Sequence, residues 1–203
     1  MSALRQHRYT LDEYFALERA AEGKYEYWNG EVFAMSGASP QHERIVGNLL
    51  TGLEIALGDR SCAVFPSNLR IKVPAAPPYR YADLTALCGE PVYENIGGID
   101  ALTNPQLIAE VLSPSTEAID RGDKFTRYQS LPSFCEYLLL TQNRAHIVHY
   151  TKQPDGRWLY EEVAGIESSL HLASLDCDLA LSRIYRNVNF AAADGNATLH
   201  VME

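Results

Sequence analysis

Apolar positions recur at three- and four-residue spacing in some stretches of the chain and in short, strand-length runs in others, so helices and short strands are interspersed. Thr10-Leu-Asp-Glu13 is a capping-box pattern and predicts a helix to about Ala21, ended before Gly23. Lys24–Asn29 and Glu31–Ser36 flank Asn29-Gly30, the pair best suited to a two-residue hairpin turn. Ser39-Pro40 opens a second helix, whose apolar face carries Ile45, Val46, Leu49, Leu50, Leu53 and Leu57 before Gly58 closes it. Strand-like runs follow at Cys62–Phe65, Asn68–Val73, Tyr79–Leu87 and Gln106–Leu112. Between them, Pro74–Pro78 reads as a turn and Gly89–Asn104 as a surface loop. A third helix is predicted over Glu117–Ser130, entered through Ser113-Pro-Ser-Thr116 and stopped by Pro132. Strands return at Glu136–Thr141, Ala145–Thr151 and Trp158–Val163, the last two meeting across Pro154-Asp-Gly156. Residues Asn187–Glu203 are weakly patterned. The whole predicts one α+β domain over 1–203: a mixed, largely antiparallel sheet flanked by helices, with an N-terminal helix and β-hairpin.

Composition changes this picture little. A length of 203 residues with 46% hydrophobic residues suits one core. No apolar run reaches the length of a membrane span and Met1–His7 carries no apolar signal region, so a cytoplasmic location is expected. Cys62, Cys88, Cys135 and Cys177 form no C-x-x-C pair and are expected to be small core hydrophobes, not a disulfide framework. The net charge of −9 argues against a protein that coats nucleic acid through a basic surface. It leaves a nuclease open, because metal-binding carboxylates themselves add negative charge.

Two acids stand out. Asp83 lies in Tyr-Arg-Tyr-Ala-Asp-Leu-Thr-Ala-Leu (79–87) and Glu110 in Gln-Leu-Ile-Ala-Glu-Val-Leu (106–112). A carboxylate inside an apolar strand is costly unless it is paired or binds a cation. On a strand, Tyr81, Asp83 and Thr85 share one face, and Glu110 shares its face with Ile108 and Leu112. In the third helix Asp120, Lys124 and Tyr128 follow i, i+4, i+8 spacing. Two carboxylate-bearing strands with a lysine nearby suit a divalent metal and a phosphate; the plainer reading of the same residues is that the acids sit at strand ends or pair with arginines. His146-x-x-His149 would place its rings on opposite strand faces, which argues against a shared metal. Gly97-Gly98 is no phosphate loop, and Ser113 and Ser115 have no nucleophile-elbow context. His42, just inside the second helix, is a supporting group sooner than a ligand.

Several segments, in order, carry a resemblance: Lys-Tyr-Glu-Tyr-Trp-Asn-Gly-Glu-Val (24–32), Ser-Pro-Gln-His (39–42), Tyr-Ala-Asp (81–83), Asn-Pro-Gln-Leu-Ile-Ala-Glu-Val-Leu-Ser-Pro-Ser-Thr (104–116) and Asp-Arg-Gly-Asp-Lys-Phe (120–125). Together they resemble the Uma-two family of restriction endonucleases, within the PD-(D/E)xK nuclease superfamily. The resemblance implies a restriction-endonuclease-like fold in which the Asp83 and Glu110 strands are neighbours. It implies that Asp83, Glu110 and the carbonyl of Val111 hold one or two Mg²⁺ or Mn²⁺ ions. Ala82 replaces the motif's proline, Leu112 fills its lysine slot, and Lys124 looks like a relocated lysine. A further acid would come from Glu31 or Glu43, Glu31 first, with His42 and Tyr128 in support. The implied activity is metal-dependent endonucleolytic cleavage of nucleic acid, DNA ahead of RNA, by a cytoplasmic protein, with a homodimer expected. The alternative from another class is a catalytically degenerate module of the same fold that binds nucleic acid or a protein.

Overall fold

The computed structural model describes residues 8–20, 24–28, 30–34, 37–74, 79–96 and 98–190. Helix α1 (Leu11–Ala20) precedes a hairpin of β1 (Tyr25–Trp28) and β2 (Glu31–Ala34), and the long helix α2 (Pro40–Leu57) follows. Then come β3 (Cys62–Pro66), β4 (Arg70–Lys72), β5 (Tyr79–Arg80), β6 (Leu84–Cys88), β7 (Tyr93–Ile96), β8 (Ile99–Leu102) and β9 (Leu107–Val111). One helical run is made of α3 (Glu117–Ile119), a π-helical turn (Asp120–Lys124) and α4 (Phe125–Tyr128). The chain continues through β10 (Glu136–Leu140), β11 (His146–Lys152), β12 (Trp158–Ala164), β13 (Ser169–Leu172), β14 (Cys177–Ala180) and α5 (Leu181–Ile184).

The caps act as their sequences suggest. Thr10 Oγ1 accepts from the Glu13 N–H at 3.2 Å while Glu13 Oε2 accepts from the Thr10 N–H at 2.7 Å, a reciprocal capping box. Ser39 Oγ caps α2 by accepting from the His42 N–H, and Pro40 begins it. Gly30, at φ 89°, supplies the left-handed backbone of the first hairpin; Asn29 lies outside the described residues.

Six strands form the central sheet in the order β12-β11-β10-β9-β6-β3. Its one parallel pair is β9 with β10, and the other four pairs are antiparallel. Alternation along the strands builds two layers of core. Leu84, Ala86, Leu107, Ala109, Val111, Leu138 and Leu140 meet Ile45, Leu49, Leu53 and Leu57 of α2 on one face. Ile108, Leu112, Tyr137, Leu139 and Val148 meet Tyr128, Leu131 and Phe134 on the other. Each fully buried Leu or Ile contributes roughly 1.5–3 kcal/mol against exposure. A third cluster, with Tyr14, Phe15, Tyr27 and Tyr79, seats α1 and the first hairpin.

Four expectations need correction. The run 79–87 is not one strand: β5 pairs with β4 in a separate sheet of order β5-β4-β8-β7, and β6 enters the central sheet only at Leu84. Tyr81, Asp83 and Thr85 therefore do not share a strand face, since Asp83 lies in the break where the chain passes between sheets. Residues 89–104 are not a surface loop either, because β7 and β8 pair there and bury Ala101 and Leu102. The hairpin β13–β14 and α5 lack clear period-two or helical patterning over enough residues to be anticipated, yet Leu170, Leu172, Leu179 and Leu181 close the α2 side of the core. Finally, Cys62 and Cys88 face each other across β3 and β6 and are joined as a disulfide, while Cys135 and Cys177 are free. Of the weakly patterned tail, residues 191–203 lie outside the described residues, as do 1–7 of the N-terminus and 75–78 of the proline-rich turn.

Glu136 fastens the β13–β14 hairpin to the sheet. It is fully buried. Its Oε1 lies 3.0 Å from His149 Nε2 and accepts from the Ala173 N–H at 3.0 Å, and Oε2 accepts from the Ser174 N–H and hydroxyl. Burial pushes its pKa up, but the bonds from His149 and Ser174 outweigh it and the net shift is downward. A carboxyl with a lowered native pKa stabilises above its ordinary value and loses that contribution as pH falls through the native one. Glu136→Leu is expected to cost about 3 kcal/mol at neutral pH by stranding these donors. The difference from the parent should shrink below about pH 4.5, the ordinary value for this carboxyl. Urea unfolding across pH measures both; a constant difference would refute the assignment.

Candidate active site

Strand pairing places the two acids. Leu84 is level with Ala109 in the antiparallel β6–β9 pair, so one step further Asp83 comes level with Glu110. There the ladder ends, and Asp83 Oδ2 replaces the missing strand partner by accepting the Val111 N–H at 2.7 Å. The same Oδ2 lies 3.0 Å from His42 Nε2, so the first turn of α2 orients it from the second side. Burial would lower the His42 pKa; the bond to Asp83 and the charges of Asp83 and Glu43 outweigh it and raise the value.

Glu110 is 2% exposed and projects among Ile108, Leu112 and the aromatic side chains of its face. Its Oε1 accepts from Lys124 Nζ at 3.1 Å and from the Tyr128 hydroxyl at 3.0 Å. Lys124 Nζ also lies 3.0 Å from Asp120 Oδ1. The helical run after β9 thus returns three side chains to the strand it left, with the π turn at the point where Asp120 and Lys124 are buried. Burial pushes the Glu110 carboxyl up to about 8, with Asp83, Asp120 and Glu26 adding to the rise and Lys124 opposing it. Burial works against the Lys124 ammonium, but Glu110, Glu26 and Asp120 outweigh it and hold the lysine protonated well above its ordinary range.

Asp83, Glu110 and Lys124, the three residues singled out from sequence, line one cleft of about 760 Å³, together with Val111, His42 and Glu43. Glu31 does not line it: it stands across from Trp28 at the turn end of the hairpin. Glu26, the third residue of the same motif-bearing segment, takes the position expected of Glu31. It lines the cleft, and its carboxylate holds Arg80 at 2.8 Å and the Tyr81 N–H at 3.3 Å. Strand alternation gave no signal, since Glu26 and Glu31 share one face of the hairpin at opposite ends of the ladder, and the choice between them depends on the distant Arg80 and Tyr81 N–H that Glu26 meets. Asp120 was visible as one of the helix triad, and it too lines the cleft, with a buried Oδ1 that lacks hydrogen-bond geometry. His146 and His149 are separated as expected, bonded to Glu162 and Glu136 respectively.

Asp83 and Glu110 each use one carboxylate oxygen for these bonds; among the described residues the other, Oδ1 or Oε2, has no protein partner. Two hard oxygen donors on one cleft suit Mg²⁺ or Mn²⁺, which keep several waters and take one or two protein carboxylates. No three Asp, Glu, His or Cys side chains among the described residues form a preformed metal cluster, so the remaining positions would fall to backbone carbonyl, water or substrate oxygen.

A mixed sheet flanked by helices, with a buried acid on a central strand, an aspartate at the neighbouring strand's end and a lysine alongside, has the restriction-endonuclease-like architecture. Its fold matches a crystal structure of a putative nuclease belonging to DUF820 from Anabaena variabilis, with a TM-score of 0.70 at 16% identity over 87% of this chain and 97% of that one. The model of the Uma2 family, described as "Putative restriction endonuclease", matches residues 11–182, and the chain belongs to this family. Two relatives from Synechocystis are similar along most of their length. Uncharacterized protein sll1609 is 35% identical over 164 residues, 81% of this chain and 92% of the relative. Uncharacterized protein slr1290 is 34% identical over 179 residues, 88% of this chain and 92% of the relative.

A carboxyl with a raised native pKa costs stability as pH climbs from its ordinary value toward the native one. For Glu110 that window runs from 4.5 to about 8. Lys124→Met should leave buried carboxylates without their cation and cost about 3–5 kcal/mol. The loss should be largest above about pH 8, where Glu110 is ionised, and smaller below it as Glu110 takes up a proton. Urea unfolding on both sides of that pH tests this; equal losses would show that Glu110 is not the group responsible.

Proposed function

We propose that the protein is a divalent-metal-dependent endonuclease that hydrolyses phosphodiester bonds of nucleic acid, DNA ahead of RNA. The observation that carries this reading is the level placement of Asp83 and Glu110 on adjoining chain segments, each with an oxygen that has no protein partner among the described residues, on one cleft. Membership of a nuclease family supports it. Asp83, Glu110 and the Val111 carbonyl would hold the cation. When bound, Mg²⁺ or Mn²⁺ would supply an acidified water and neutralise charge at the scissile phosphate.

The chain's own groups set up that chemistry. His42 and the Val111 N–H lock the orientation of Asp83, and the Tyr128 hydroxyl does so for Glu110. Lys124, held at Glu110 by a 3.1 Å bond, is a fixed positive charge that can donate to a phosphate oxygen or orient the attacking water. A second reading, a degenerate module of the same fold, is favoured by one feature: Lys124 is already engaged by two carboxylates.

Calorimetric titration of Mn²⁺ separates the two. The parent protein is expected to bind and an Asp83→Asn, Glu110→Gln double variant to lose binding, with Mn²⁺-dependent cleavage lost in parallel. Cleavage that survives Asp83→Asn would refute the site, and a parent that neither binds Mn²⁺ nor cleaves with it would favour the module.

A further inference from the structure

The hairpin β1–β2 presents a phenylalanine to the cleft. Glu26 and Phe33 are level across the two strands and share a face, and both line the cleft. Phe33 is 49% exposed. Its neighbours on the opposite face, Tyr27 and Val32, pack into the aromatic cluster under α1. Ile119, in the first turn of the helical run after β9, is 48% exposed and lines the same cleft. Two half-bare apolar side chains thus come from separate elements onto a cleft where acidic residues outnumber basic ones.

The cations there are already engaged. Arg80 is paired with Glu26, Lys124 with Glu110 and Asp120, and Lys24 Nζ bonds the Ser67 hydroxyl and carbonyl. The chain as a whole carries −9. Duplex nucleic acid offers a protein mainly phosphates, and affinity for it comes from free cations. Unpaired strands also offer base faces, which stack on aromatic side chains with little regard to sequence.

We propose that the cleft takes a single-stranded or locally unpaired segment of nucleic acid, with Phe33 stacking on a base beside the phosphate that a cation on Asp83 and Glu110 would hold. Ile119 forms the apolar wall opposite. This deepens the nuclease reading and rests on it for the placement of the phosphate.

The test is fluorescence anisotropy with labelled oligothymidylate, alone and as its duplex with oligoadenylate, in Ca²⁺ to bind without turnover. The single strand should bind more tightly than the duplex. Phe33→Ala should weaken single-strand binding about tenfold, the loss of one stacked base, while Phe33→Trp retains it. Half exposure of Phe33 makes the fold tolerant of both changes, which thermal unfolding verifies. Equal affinity for both forms, indifference to Phe33→Ala, or no binding of either form overturns the proposal. Its failure is distinguishable from failure of the nuclease reading. Duplex cleavage that requires Asp83 but ignores Phe33 sinks only the stacking proposal; Phe33-dependent single-strand binding without cleavage of any substrate sinks only the nuclease.

Discussion

The structure turns on how a carboxylate is kept inside the central sheet. Glu110 occupies a β9 position whose neighbours along the strand are Ile108 and Leu112, where an unpaired charge would cost several kcal/mol. The compensation is local in sequence: Lys124 and Tyr128 come back from the helical run that begins six residues after β9 ends. Burying the acid therefore obliges that helix to lie across the sheet, and the helix brings Tyr128, Leu131 and Phe134 with it as core. Site and packing on this face are one arrangement. Asp120 extends it by holding Lys124 from the second side, so the lysine is fixed between two acids.

Asp83 is held by a different principle. Glu110 is buried and paired with a charge; Asp83 is bound by a backbone N–H and a histidine at the place where strand pairing stops. A ladder that ended without a substitute would leave the Val111 donor unsatisfied. Filling it with a side chain closes the ladder and turns a carboxylate toward the cleft. The price is a chain break between β5 and β6, and two sheets result where continuous pairing would have made one. The binding of Ser39 to Gln142, and of Gln142 to the Leu112 carbonyl, ties the start of α2 to the ends of β9 and β10. That keeps His42 in register with Asp83.

What could be read from sequence follows from the range of the forces concerned. The first two helices, the helical run after β9, the first hairpin and the strands β9 to β12 are set by capping and periodicity within a dozen residues, and they lie close to the bounds expected from sequence. The acids were conspicuous because a charge in an apolar strand has few cheap explanations. The strand break at 81–83 was hidden, since its cause is Val111, which is far along the chain. The same holds for β7–β8 and β13–β14, short strands whose burial depends on distant partners, and for Glu26 against Glu31. The Cys62–Cys88 disulfide is another case: its cysteines are 26 residues apart and become opposite only through the β3–β6 register.

The lysine shows most clearly how local position and spatial role can separate. The superfamily pattern would put it two residues after Glu110, on the same strand face. Here that position is Leu112, 5% exposed and packed with Tyr128 and Leu139. A lysine at that point would have to be buried in the same aromatic cluster, whereas Lys124 approaches Glu110 from the helix and keeps its ammonium on the cleft. The aliphatic residue thus allows the helix to seat closely, and the seated helix brings the Lys124 ammonium to Glu110. Because the charge arrives on an element fixed by Tyr128 and Tyr137, whose hydroxyl holds the Asp120 carbonyl at 2.9 Å, its position relative to Glu110 is set by core packing. A lysine on a strand end would owe its position to its own rotamers.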